Sequence, residues 1–232
     1  MMKKLAVVVA ATSAIGFASV SQAEAFDTAL GELDVSMTAT LASDYIWRGQ
    51  SQTDGAGAVQ GSLDIAHESG LYIGAWASNI DGSEDGFDGA SIEIDYYVGY
   101  GGDITDNVSY DIQWATYTYP GNSSWDVDEV IGSLGFYGFN AGVKYAYDLD
   151  PEPLYYFLDY GFSLPYDLGL GLHYGYADAN DSDADNYSDW AVSLGKQVLG
   201  LDLALMYSNT DIDGGCDGNC DSNVTFAVSK TL

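Results

Sequence analysis

The sequence predicts an all-β protein, a transmembrane antiparallel β-barrel of about 12 strands. Apolar and polar residues alternate in one segment after another, and each segment has about ten residues, the length that a tilted strand needs to cross a bilayer. The connections alternate between tight turns and longer loops rich in Gly, Asp, Asn and Ser. Outer-membrane barrels distribute their connections in this way, so we expect short periplasmic turns and longer acidic external loops.

The N-terminal segment is typical of an exported protein. In residues 1–23, two lysines precede an apolar run, and the segment ends in Ser-Gln-Ala. These are the three parts of a secretory signal peptide, with cleavage after residue 23 or, alternatively, after residue 25. Residues 24–232 then form a single outer-membrane β-barrel domain.

Alternation gives each predicted strand one apolar face and one polar face. Ile92 and Ile94 share one face of a strand, for example, whereas Glu93 and Asp95 share the other. A water-soluble sandwich is the alternative. A barrel with a water-filled lumen is favoured because nearly every strand has an apolar face and because the opposite faces carry glycines and charges. The predicted strands span residues 33–47, 57–67, 71–80, 89–101, 107–118, 126–137, 139–148, 154–164, 168–177, 187–197, 200–209 and 222–232.

The charge balance restricts the partners. The chain carries 35 acidic and 6 basic residues, a formal charge of −29, and loss of Lys3 and Lys4 with the signal makes it −29 − 2 = −31. Such a chain repels nucleic acid and other polyanions. We expect it to contact outer-membrane lipid and lipopolysaccharide, the barrel assembly machinery during insertion, and small solutes or cations.

The only arginine of the chain, Arg48, follows the predicted first strand. Tyr45 and Trp47 have the parity of the apolar face, so we expect their rings to face lipid in the outer aromatic belt. Arg48 has the other parity and should point inward near the external mouth, paired with Asp44 or Asp64. The alternative is a solvated strand end.

Residues 43–53, SDYIWRGQSQT, and residues 58–81, AVQGSLDIAHESGLYIGAWASNID, resemble the proteobacterial TorF porin family. The resemblance is specific over these residues and looser afterwards. The family often ends in an aromatic residue, whereas this chain ends in Leu232. The resemblance implies a barrel in the outer membrane of a Gram-negative bacterium.

The parity of each strand predicts a lumen lined mainly by carboxylates. Inward carboxylates attract cations, so we expect a channel for passive diffusion of small solutes that prefers cations and has no catalytic residues. The predicted pore-lining residues are Asp44, Arg48, Asp64, Glu93, Asp95, Asp111, Lys144, Asp159, His173, Asp189 and Asp202.

Two other functions stay open. Inward Tyr97, Tyr155 and Phe157 are large enough to obstruct a narrow barrel, which would then act as a surface binding or structural protein. An outer-membrane lipid hydrolase would need a serine beside a histidine. His67 belongs to a periplasmic turn, and His173 is expected to pair with Asp159 inside the barrel, so we do not expect an enzyme.

The external loops contain the remaining motifs. Cys216 and Cys220 are separated by three residues in an exported chain, which predicts a disulfide. Asp181, Asp183 and Asp185 alternate like the start of a calcium loop, but Asn186 replaces its central glycine. A solvated acidic loop or a weak Ca²⁺ site both fit, and we expect no cofactor otherwise.

Overall fold

The computed structural model describes residues 24–29, 31–83, 86–181, 184–213 and 219–232. The predicted signal peptide lies outside these ranges, so its cleavage stays a prediction. Within these same ranges, no helix is long and apolar enough to cross a membrane.

In the described part of the chain, twelve long antiparallel strands form a closed barrel, which confirms the predicted fold class. Each long strand pairs with the next, and the last pairs with the first, so the ring of twelve described strands is closed. The twelve are β2 Gly31–Ala42, β5 Ala58–His67, β6 Leu71–Asn79, β7 Ile92–Thr105, β8 Val108–Thr118, β9 Val127–Phe136, β10 Phe139–Ala146, β11 Leu154–Leu164, β12 Leu168–Asp178, β13 Tyr187–Val198, β14 Leu201–Thr210 and β15 Asn223–Thr231. Shorter elements are β1 Glu24–Thr28, β3 Ile46–Trp47, β4 Gln50–Ser51 and the 3-10 turns Ser123–Trp125 and Pro165–Asp167.

Closure of the barrel uses the last residue of the chain. Met37 and Leu232 exchange two backbone hydrogen bonds, of 3.1 and 2.9 Å. Nearer the N-terminal end of β2, β1 folds back on the strand and pairs Glu24 with Val35. The C-terminal strand and β1 therefore follow each other along one edge of β2.

The predicted alternation of faces is present on the barrel wall. On β7 the side chain of Tyr96 is exposed outward, whereas Glu93 and Asp95 on the opposite face are each 2% exposed. The outer face is apolar on strand after strand, as a surface in contact with lipid requires. The inner face of the wall carries most of the charged side chains and several tyrosines, among them Tyr72, Tyr117 and Tyr155.

The short turns hold bulky residues in an unfavourable backbone conformation. Tyr137, Tyr166 and Leu199 have φ values of 49°, 69° and 54°, in the left-handed region that favours Gly or Asn. All three side chains are exposed, and Leu199 is 99% exposed. The alternation of the sequence did not predict that these turns expose large aromatic and aliphatic side chains.

The first strand ends earlier than predicted, and the prediction for its outer end is wrong. The strand ends at Ala42, and the chain then turns into the barrel instead of continuing to Trp47. The ring of Tyr45 is 1% exposed and packs edge-on against Trp76, with ring centroids 5.3 Å apart. Tyr45 and Trp47 do not face lipid, because an aromatic pocket inside the barrel removes Tyr45 from both lipid and water.

Candidate functional site

A hairpin formed by β3 and β4, residues 46–51, crosses the interior of the barrel; we call it the lumenal hairpin. Arg48 and Gly49 form its turn with φ values of 48° and 80°, and a two-residue turn of this kind needs positive φ at both positions. A Cβ on Gly49 would lie 2.4 Å from Thr210 Cγ2 and 2.8 Å from Asp189 Cβ. The tip of the hairpin therefore touches the inner wall at β13 and β14.

Polar and apolar contacts fix the base of the lumenal hairpin. The Asp44 carboxylate accepts hydrogen bonds from Ser51 Oγ and Thr53 Oγ1, both 2.7 Å long. Ile46 is buried against Met206 on the wall. The hairpin is thus packed into the barrel as a folded part of it.

Arg48 makes a buried ion pair with Glu129 of β9. An Nη2 hydrogen of Arg48 is donated to Glu129 Oε1, and the two side chains are 10% and 4% exposed. Tyr117 donates its hydroxyl hydrogen to Glu129 Oε2 over 2.9 Å. The guanidinium also lies 4.1 Å from the ring centroid of Trp47 and 4.4 Å from that of Tyr155, within cation–π range. Burial is the largest single effect and lowers the pKa of Arg48, but its neighbours, foremost the Glu129 carboxylate, together raise it by more, so the guanidinium stays charged.

The expected partners of Arg48 were wrong. Asp44 binds the base of the hairpin, and Asp64 accepts a hydrogen bond from the hydroxyl of Tyr97. Glu129 was missed because β9 alternates poorly: Ile131 points inward although it is apolar. The apolar residues 130, 134 and 136 share one parity and are exposed on the outer face. This shared parity is the sequence signal that would have placed Glu129 on the inner face.

A second polar cluster surrounds His173. Its Nδ1 lies 2.6 Å from Asp159 Oδ1, which is the pair that the sequence predicted. Its Nε2 lies 2.9 Å from the hydroxyl of Tyr155 and 3.1 Å from Asp189 Oδ1. Because both ring nitrogens face these groups, His173 does not serve a nucleophilic serine, and the hydrolase hypothesis loses its lumenal histidine.

The other predicted lumenal residues occupy three different settings. Glu93 and Asp95 are deeply buried on β7. The hydroxyl of Tyr72 donates its hydrogen to the Asp111 carboxylate on the inner wall and lies 2.9 Å from each of its two oxygens. Lys144 Nζ lies 6.0 Å from the ring centroid of Tyr155.

Asp202 lies at the rim, close to the turn between β13 and β14. It accepts a 3.2 Å hydrogen bond from Gln197 in an exposed setting. Its place among pore-lining residues stays a prediction, as does that role for the other residues of the set.

External loops cover the lumenal hairpin. Phe87 stacks on Tyr119 with ring centroids 5.0 Å apart. Asp81 N donates to Gln52 O over 2.8 Å, and Ser51 N donates to Asn219 O over 2.7 Å. The external half of the interior is therefore closely packed, whereas the Asp159 side chain, nearer the short turns, is 42% exposed.

Two predictions for the loops fall partly outside the described residues. Asp183 and Cys216 both lie there, so a calcium site with Asp181 and Asp185 and a disulfide with Cys220 stay predictions. Where the chain is described, no group of three or more His, Cys, Asp or Glu side chains is placed to hold a metal ion.

His67, the other histidine considered for catalysis, lies at a short turn as expected. Its Nδ1 is 2.7 Å from Ser69 Oγ and also accepts a hydrogen bond from Ser69 N over 3.1 Å. A side chain that bonds the backbone two residues on is typical of a turn.

A closed barrel with an apolar outer face and an inward hairpin defines a transmembrane β-barrel protein. The chain belongs to the Gcw_chp family, described as "Bacterial protein of unknown function", whose model matches residues 27–232. That description does not include the TorF name, which stays a prediction. No curated protein matches the chain.

Several solved structures share the fold. The KdgM porin matches with a TM-score of 0.53 and 8% identity, over 85% of this chain and 98% of its own. The NanC porin matches with a TM-score of 0.53 and 11% identity, over 85% of this chain and 98% of its own. A KdgM porin in complex with disordered oligogalacturonate gives a TM-score of 0.52 at 8% identity, over 85% and 97% of the two chains. At such identities the likeness establishes the barrel fold.

Proposed function

We propose that the protein is a narrow outer-membrane channel that passes small solutes by diffusion and prefers cations. Its fold is that of the KdgM and NanC porins. One of those proteins was captured with oligogalacturonate, which supports passage of small solutes through barrels of this form. Residence in a Gram-negative outer membrane, with a signal peptide and the barrel assembly machinery to reach it, belongs to the same proposal.

The observation that carries the cation preference is the charge of the inner wall. Carboxylates outnumber basic groups among the described inward side chains, and a lumen of one dominant sign concentrates ions of the opposite sign. The basic groups are Arg48, Lys144 and His173, and the carboxylates are Asp64, Glu93, Asp95, Asp111, Glu129, Asp159 and Asp189.

The second candidate is a closed barrel that acts through its external surface. The packed lumenal hairpin favours it, because Tyr45 and Ile46 are buried and the Arg48 and Glu129 side chains are only 10% and 4% exposed. In the channel hypothesis, ions pass beside the hairpin or when it moves. In the closed-barrel hypothesis, the hairpin is a permanent plug.

Conductance of the purified wild-type protein in a planar bilayer separates the two candidates. The channel hypothesis predicts discrete conductance steps from protein that shows the gel shift of a folded barrel. Folded protein that never conducts, over many insertions and at both polarities, would contradict the channel and favour the plug. Heat-unfolded protein is the control for leakage through the lipid.

A further inference from the structure

We propose that Glu93 and Asp95, together with the hydroxyl of Tyr45, bind a small monovalent metal cation such as Na⁺ or K⁺ inside the barrel. The site deepens the channel function proposed above and rests on the acidic lumen of that proposal. It lies on the inner face of β7, beside the base of the lumenal hairpin.

Asp95 is the group that most needs a ligand. Its side chain is 2% exposed. Among the described residues, neither of its carboxylate oxygens has a well-formed hydrogen bond, and the one group within hydrogen-bonding reach is the Glu93 carboxyl, another acid. A buried ionised carboxylate without a partner is strongly unfavourable, so a cation or a proton has to satisfy it.

The neighbours of Asp95 supply further oxygen atoms. Glu93 lies two residues earlier on the same face of the strand, about 7 Å away between Cα atoms. The hydroxyl of Tyr45 is buried without a well-formed hydrogen bond, and Glu93 is the carboxylate within its reach. The charges that act most strongly on that hydroxyl are those of Glu93 and Asp95. Carboxylate and hydroxyl oxygens are the ligands that hard cations prefer.

The charge of the surroundings indicates a monovalent ligand. The charged groups that act on Asp95 are Glu93, Lys144 and Glu129, and Arg48 pairs with Glu129. With all five ionised, the cluster carries 2 − 3 = −1, which one monovalent cation neutralises. A divalent cation would leave the cluster with a positive charge.

A shared proton is the competing explanation, because two buried carboxylates in one site resist losing both protons. The two explanations differ in one observable. A cation site responds to the identity of the cation at constant pH and ionic strength, whereas a shared proton does not.

The test is the thermal unfolding midpoint of the purified barrel at pH 7.5, read from its gel shift. The midpoint is measured in NaCl, KCl and N-methylglucamine chloride at equal ionic strength, since the large organic cation does not fit a buried site. We expect a saturable rise in Na⁺ or K⁺ relative to N-methylglucamine. Asp95→Asn should abolish the rise, and Glu93→Gln should weaken it. Asp103→Asn, an exposed acid on the same strand, should keep it.

Equal wild-type midpoints in the three salts would overturn the site, and so would an undiminished cation response in Asp95→Asn. The assay reads binding and not conduction. A barrel that conducts but whose unfolding midpoint does not depend on the cation would therefore contradict the cation site alone. A barrel that does not conduct but whose midpoint rises in Na⁺ or K⁺ would contradict the channel and support the site.

Discussion

Replacing Arg48 with Ala should release the lumenal hairpin. The substitution removes one partner of a buried ion pair, which typically costs about 3–5 kcal/mol because the other charge stays behind unpaired. It also removes the guanidinium from the rings of Trp47 and Tyr155. The hairpin can leave the lumen without breaking the ladder of the barrel, so we expect the loss to fall on hairpin docking. At about 1.4 kcal/mol per tenfold change, the equilibrium for docking should fall at least about 100-fold.

The assay is single-channel conductance together with the reversal potential in a potassium chloride gradient. Arg48→Ala should conduct more than wild type, because the hairpin spends less time inside. It should also prefer cations more strongly, because Glu129 is no longer neutralised. Arg48→Ala/Glu129→Gln should keep the large conductance but bring the selectivity back towards wild type. Lys196→Ala, which removes an exposed cation from the outward face of β13, is the control and should change neither value.

An assembled Arg48→Ala barrel with the conductance and reversal potential of wild type would refute this reasoning. The hairpin would then be held by other contacts, or it would lie outside the path of the ions.

Three other changes test separate parts of the structure. Leu199→Asn should raise the free energy of unfolding by about 1 kcal/mol, because Asn tolerates the left-handed turn; a lower value in denaturant titration would contradict this. Trp76→Ala should expose the hairpin to trypsin at Arg48, since Tyr45 loses its ring partner, and cleavage as slow as in wild type would argue against that anchor. Cys216 and Cys220 should resist thiol labelling before reduction, and replacing both with Ser should leave the gel shift intact; ready labelling of the unreduced protein would exclude the disulfide.

The barrel could be predicted from the sequence because its rules are local. Each strand carries its own alternation, and each tight turn brings neighbouring residues together, as with Asp159 and His173 across one short turn. Strand ends were placed within a few residues in most cases. The fold class therefore needed no knowledge of contacts between distant strands.

The lumenal hairpin could not be predicted because its contacts are long-range. Tyr45 and Trp47 continue the parity of β2, so periodicity alone extends the strand through them. Arg48 and Glu129 are 81 residues apart in the chain. Arginine is also an unusual residue at a position that needs positive φ, so the turn gave no local signal. The pocket around Trp76 and the Glu129 carboxylate, which receive Tyr45 and Arg48, show why the chain turns inward.

We propose that ions pass through an acidic lumen, and the reversal potential of the wild-type protein tests this proposal most directly. With potassium chloride more concentrated on one side of the bilayer, the sign of this potential shows which ion is more permeant. We predict a preference for potassium that weakens as salt screens the carboxylates of the inner wall. A reversal potential with the sign expected for a chloride-selective channel would contradict the acidic-lumen proposal.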